Sequence, residues 1–221
     1  MLREELIKKV ALKMDEISSS DDVIVAVGAD DNNPLYAQIN SLLNESINDV
    51  LTKAPIYRLQ NHLGIVNPIY HESISDRDDN IFRQIAVLKV PEDFIRIVSI
   101  DDPDFERPIV DLAIEGDDIA KQQYNRFLMA KTAKPVGVLG RDANGMRIIK
   151  CYSLPADKVD PETTMTYVVR FAGGEAMTND INIDDYLVEI VSWVCAGKVF
   201  AAHGDLNRGK VCDDNAAALM I

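Results

Sequence analysis

Apolar positions early in the chain recur at helical spacing. Leu2, Leu6, Val10, Met14 and Ile17 are separated by three and four residues, which predicts a helix over 2–17. The polar run from Ser18 to Asp22 ends it, and Val23 to Val27 has the length and character of a short strand. Asn32, Asn33 and Pro34 then supply a helix start, with proline at the first position, where its missing N–H costs nothing. Leu35, Ile39, Leu42, Leu43, Ile47, Val50, Leu51 and Ala54 mark one face of a packing helix that Pro55 stops. The opposite face carries Gln38, Asn40, Asn44, Asn48, Asp49 and Lys53.

Residues 56–80 show no sustained period and predict a long irregular loop. The character then changes to β. Ile85 to Val90 meets Pro91, Phe94 to Ile100 runs into the turn Asp101-Asp102-Pro103, and Pro108 to Leu112 is a further short strand. Asp117 is placed to cap a short helix bearing Ile119, Ala120, Tyr124, Phe127 and Leu128. Val136 to Leu139 and Met146 to Tyr152 flank a turn containing Gly145, a hairpin, and Thr163 to Phe171 alternates as another strand. Helical spacing returns over 184–203, and 205–221 reads as a polar tail or final short helix with the apolar end Leu219-Met220-Ile221.

Helices first, strands in the middle and helices last predict an α+β fold, a helical bundle with an inserted antiparallel β domain. The expected division is a helical core from 1–60 and 181–221 and a β-rich insertion over 81–172.

Composition narrows the function. The 221 residues carry a net charge of −13, which opposes tight binding to a nucleic-acid backbone. No apolar run reaches eighteen residues, so no membrane-spanning helix is expected. The start MLREELIKKV lacks the form of a secretory signal, and three widely spaced cysteines, Cys151, Cys195 and Cys212, fit reduced thiols in a cytoplasmic product.

Motifs that carry chemistry are incomplete. Gly204 to Val211 follows the phosphate-loop pattern through Lys210 and then lacks the hydroxyl that holds magnesium, and it follows a helix rather than a strand. It reads instead as a helix cap at Gly204 followed by a polar connection. Asp76, Asp78 and Asn80 imitate a calcium loop whose glycine and final glutamate are replaced by Ile81 and Val87. Asp101, Asp102 and Asp104 fit a turn around Pro103. His62, His71 and His203 lie far apart, and a pairing of His203 with Cys212 falls short of the four ligands of structural zinc. Asn44-Glu45-Ser46 matches a glycosylation acceptor but sits on a predicted helix. The expectation is no catalytic residue, no metal and no cofactor.

Three segments, in order, resemble the head–tail connector or adaptor proteins of tailed bacteriophages. Leu35 to Ile56, through the stretch Ile39 to Ser46, is similar to their early helix, and Leu88 to Ile100, with Val90-Pro91-Glu92-Asp93-Phe94, is similar to the segment that enters their sheet. Asp185 to Asp205 resembles their late, aliphatic helix ending in Gly-Asp. Together these cover about a quarter of the chain.

The resemblance implies a structural virion protein that forms a ring, commonly twelvefold, beneath the portal of the phage neck. A ring protein of a crAss-like podovirus is one specific form. It implies as partners the portal protein, other neck or tail rings and further copies of the chain, with DNA passing through the lumen without specific binding. Synthesis would be in the host cytoplasm and residence in the virion. Its C-terminal segment would pack on the portal, which makes Arg208, Lys210, Leu219, Met220 and Ile221 the candidate interface. Acidic side chains facing a lumen would repel DNA phosphates and let the genome slide. The alternatives are a tail-completion ring or stopper, and a metal-dependent hydrolase built on Asp76, Asp78, Asp101 or Asp104.

Overall fold

A computed structural model describes residues 1–17, 34–75, 81–125, 127–156 and 162–221. The segments expected to end the first helix, to form a strand at Val23 to Val27, to cap the second helix at Asn32 and Asn33, and to imitate a calcium loop at Asp76, Asp78 and Asn80 lie outside the described residues. The chain is α+β with helices at both ends, and it divides into two compact units. One is Met1–His62 with Arg170–Ile221, and the other is the intervening Leu63–Val169.

The first unit holds α1 (Arg3–Ile17), α2 (Pro34–Lys53), α4 (Asp185–Ala202) and α5 (Leu206–Leu219). The stripes read from spacing are buried: Leu6, Ile7, Val10 and Met14 on α1, and Ile39, Leu43, Ile47, Val50 and Leu51 on α2. Each such side chain contributes about 1.5–3 kcal/mol by leaving water. Both helices pack on α4, and so does α5. Surrounded in this way, α4 buries more than one face, including Val188, Trp193, Cys195 and Ala196 beyond the residues its spacing marks. Lys13 lies over the Trp193 ring, 4.8 Å from its centre.

The polar face of α2 binds backbone. Asn40, Asn44 and Asn48, one turn apart, fasten the returning backbone. The Asn40 and Asn44 amides donate to the carbonyls of Glu175 (3.0 Å) and Gly173 (2.9 Å). Asn48 both donates to the Phe171 carbonyl (3.1 Å) and accepts from its N–H (2.8 Å). Asn44 also accepts from Arg3 at 2.8 Å, so its amide is committed to structure and is no glycan acceptor in the folded chain. The amino terminus is stitched to the same segment, with the Arg3 N–H donating to the Asn179 carbonyl and the Ile181 N–H to that of Met1.

The second unit has two sheets. Strands β1 (Leu63–Val66), β8 (Thr164–Val169) and β4 (Phe94–Asp101) form one, in the order β1-β8-β4. Strands β2 (Tyr70–Ser75), β3 (Ile81–Lys89), β7 (Arg147–Leu154), β6 (Val136–Arg141) and β5 (Leu112–Ile114) form the other, in the order β2-β3-β7-β6-β5. Two of these, β1 and β2, occupy the region expected to be irregular. The sheet is also mixed rather than purely antiparallel, because β5 runs parallel to β6.

Ala86, Leu88, Ile149 and Cys151 of the larger sheet share a core with Phe94, Ile100, Met165 and Tyr167 of the smaller. Ile85, Val87, Val138, Ile148 and Tyr152 face the other way and meet Ala120 of α3 (Asp118–Gln122). Burial on both faces explains the unbroken apolar run of β3. Asp117 precedes α3 as expected, but its carboxylate accepts from the Ile114 N–H (3.1 Å) and caps no helical N–H. The hairpin between β6 and β7 forms as expected, with Gly145 at φ +82°.

Candidate interaction surface

The candidate residues lie on a helical hairpin. Gly204, at φ +83°, lets α4 turn back, and the Asp205 carboxylate caps α5 by accepting from the Arg208 N–H at 3.1 Å. Residues 206–211 are therefore the first turns of α5, not a polar connection. The glycine a phosphate loop would use, Gly209, is packed instead against α4, where a Cβ would lie only 3.2 Å from the Gly197 carbonyl. The small residues Gly209, Cys212 and Ala216 form the buried stripe of α5.

The far end of α5 is clasped. The Tyr186 hydroxyl donates to the Leu219 carbonyl. Arg58, stacked 3.7 Å from the centre of the Tyr186 ring, donates to the carbonyls of Leu219 (3.5 Å) and Ile221 (3.4 Å).

The five candidate residues do not form one patch. Arg208 is half-buried over Phe200 and paired with Asp205 at 3.3 Å, while Lys210 is exposed. Leu219, Met220 and Ile221 lie at the opposite end of the helix, roughly 16 Å away by helical rise. Ile221 is 93 % exposed, and Met220 lines a trough of about 500 Å³ with Asp49, Lys198, Asp213 and Asp214. Lys198 is held there by Glu45 (2.5 Å) and Asp49 (2.7 Å). Spacing missed this trough, whose sequence signal is the pair Asp213-Asp214 followed by the small residues Ala216 and Ala217.

The other sequence candidates resolve into structural roles. Buried Asp102 accepts from the Asp104 N–H (3.0 Å) and the Thr163 hydroxyl (2.7 Å), and Asp101 accepts from Ser99. His203 contacts Gln38 at 2.8 Å, and Cys212 is buried in the helical hairpin. Among the described residues no three His, Cys, Asp or Glu side chains converge as a metal-ligand set.

In the β unit a cavity of about 110 Å³ opens above β6 and β7, where the Tyr152 hydroxyl donates to Tyr124 at 3.2 Å. Burial, and then the Tyr124 hydroxyl, push the Tyr152 phenol well above its ordinary range. Burial alone would lower the Lys150 ammonium, but the Glu72 carboxylate at 2.8 Å outweighs it and the net shift is upward.

Burial pushes the Cys195 thiol up to about 11 and Cys212 up to about 12, and it raises Cys151 as well. All three are therefore protonated and shielded at neutral pH. Native protein is expected to show no reaction with Ellman's reagent, and three thiols are expected to react once denaturant is added.

His62 offers a pH test. Its ring is buried and Nε2 has no hydrogen-bond partner. Burial lowers its pKa below 6.5, with the Asp184 carboxylate opposing in part. Between the lowered value and 6.5 the unfolded chain binds the extra proton. Stability is thus complete above about pH 6.5 and is lost as pH falls through that window. NMR titration should place the His62 midpoint below 6.5, and His62→Phe should lose less stability than wild type between pH 7 and 5.5.

No family model matches the chain, and no curated protein is similar to it. No helix among the described residues is long and apolar enough to cross a membrane.

Proposed function

We propose that this chain is a structural subunit of a tailed-phage neck, one copy in a ring that joins capsid to tail and surrounds the DNA channel. The observation that carries the reading is the division of the chain: both ends build a helical unit and the middle is inserted as a β unit. That is the organisation implied by the resemblance of Ile39–Ser46, Leu88–Ile100 and Asp185–Asp205 to connector proteins. Large apolar side chains left in water, including Phe127 and Ile221, support an assembly role.

The test is electron microscopy of the protein mixed with the portal protein of the same genome. Closed rings on one end of the portal are the expected result. A chain that stays monomeric and ignores the portal would overturn the reading in favour of another ring or machine.

A further inference from the structure

The loop after α3 presents an apolar tip on a rigid neck. Phe127 is 92 % exposed, and Ile119, Tyr124 and Leu128 are each more than half exposed beside it. Yet the base is built from buried polar groups. Gln123, 2 % exposed, donates to the Ile119 carbonyl (2.8 Å) and accepts from the Ala130 N–H (3.1 Å). Arg83, 3 % exposed, donates to the Ala130 carbonyl. Inside the loop the Leu128 and Met129 N–H groups bond to the Asn125 carbonyl. A loop held this firmly is pre-organised, so little ordering entropy opposes its insertion into a partner.

Its charge is opposite to that of the chain. From Ile119 to Arg141 the sequence has five Lys or Arg and no Asp or Glu, within a protein of net charge −13. Lys131 and Lys134, at the far side of the tip, are exposed. The complementary surface is the trough on the helical unit. Its lining combines the small residues Gly197, Ala201 and Ala217 with Asp213 and Asp214, and with Lys53, Asp49 and Lys198, the last two paired with each other at 2.7 Å. About 500 Å³ gives room for more than one large side chain.

We infer that the Phe127 loop of one copy docks into the Asp213–Asp214 trough of the next copy. Phe127 and Leu128 pack on the small residues while Lys131 and Lys134 face Asp213 and Asp214. The two surfaces are different, so the contact is head-to-tail, and such contacts close into rings when the rotation permits. The local pairing also offsets the repulsion between acidic copies. This inference rests on the ring reading above and adds to it the contact between subunits.

The experiment is site-directed crosslinking, which the buried native thiols leave uncluttered. Phe127→Cys and Ala217→Cys proteins, both substituted at exposed positions, are made separately, mixed and mildly oxidised. A mixed 127–217 dimer in at least fivefold excess over either like-with-like dimer is expected. Lys131→Glu/Lys134→Glu in the Phe127→Cys partner should abolish it, and Asp213→Lys/Asp214→Lys in the other should restore it. Like and unlike dimers in random proportion, or no rescue by the charge swap, would overturn the contact. Rings on the portal without the 127–217 product would overturn the contact and leave the ring reading standing. Loss of retention on immobilised duplex DNA by Lys131→Glu/Lys134→Glu, with no mixed dimer, would overturn it in favour of nucleic acid.

Discussion

Gly209→Leu is expected to destabilise the helical unit by about 3 kcal/mol, the upper range for overpacking a tight contact. A Cβ at position 209 would lie 3.2 Å from the Gly197 carbonyl and 3.7 Å from the Ala201 N–H, so a leucine has no direction in which to grow without prying α5 from α4. For a chain of this size that loss lowers the melting temperature by roughly 6–12 °C. Two alanine variants set the scale. Gly209→Ala trades one close backbone contact against a gain of about 1 kcal/mol in helix propensity and should fall within about 0.5 kcal/mol of wild type. At Gly197 a Cβ would meet the Asp213 carboxylate (3.1 Å), the Cys212 Cβ and the Gly209 carbonyl (both 3.2 Å). Gly197→Ala should therefore be the more damaging, by about 1 kcal/mol. Urea unfolding followed by circular dichroism ranks the three, and an equal effect of the two alanines would show that α4 and α5 do not cross this closely.

The same crossing alters how the C-terminal interface can be tested. Read from sequence, 205–221 is a tail or a final short helix, and removing it is expected to leave the rest folded. In the structure it is mostly α5, whose removal uncovers the side of α4 that holds Gly197 and Ala201. Charge changes at exposed Asp213, Asp214 and Lys210 probe the surface without removing the helix.

What the sequence made legible follows from where the stabilising partner lies. Helices α1 and α2 were readable because Leu6, Val10, Ile39 and Leu43 bury a stripe that spacing alone reveals. The β6–β7 hairpin was readable because Gly145 and its flanking apolar runs are local. Strands β1 and β2 were not. Leu63-Gly-Ile-Val and Tyr70-His-Glu-Ser-Ile-Ser have no strong alternation, and β1 becomes a strand by pairing with Val168, Tyr167, Thr166 and Met165, about a hundred residues on. The parallel placement of β5 beside β6 likewise leaves no local mark. Helix α5 was readable only as one of two alternatives, because its buried stripe is Gly209, Cys212 and Ala216, residues that periodicity in large apolar side chains overlooks. The candidate surface was half legible for this reason: its apolar end could be read, but the trough needs α2, α4 and α5 together.

Asn40, Asn44 and Asn48 show the same limit with polar residues, and they lead to the second large effect. Arg3→Met is expected to cost about 3 kcal/mol, although Arg3 reads in sequence as one surface charge among many. The side chain is fully buried. Its guanidinium donates to the Asn40 and Asn44 side-chain oxygens and, at 2.9 Å, to the Asn40 carbonyl. Burial lowers its pKa, with the Glu175 carboxylate opposing, but a guanidinium is not deprotonated in proteins and the group stays charged at neutral pH. Neutral oxygens on α2 thus solvate a buried cation, and its fork geometry lets one residue satisfy three acceptors. Methionine fills much of the same volume and leaves the Asn40 and Asn44 side-chain oxygens without that donor, at about 1–3 kcal/mol for each that water does not reach. Lysine cannot span all three and should recover only part of the loss. Asn44→Leu should cost about 2 kcal/mol by stranding both the Arg3 donor and the Gly173 carbonyl. Because the two residues share a bond, the double variant should lose less than the sum of the singles. Additive losses would mean that Arg3 and Asn44 act separately, and single losses under about 0.5 kcal/mol would mean that this network orients the amino terminus without holding it.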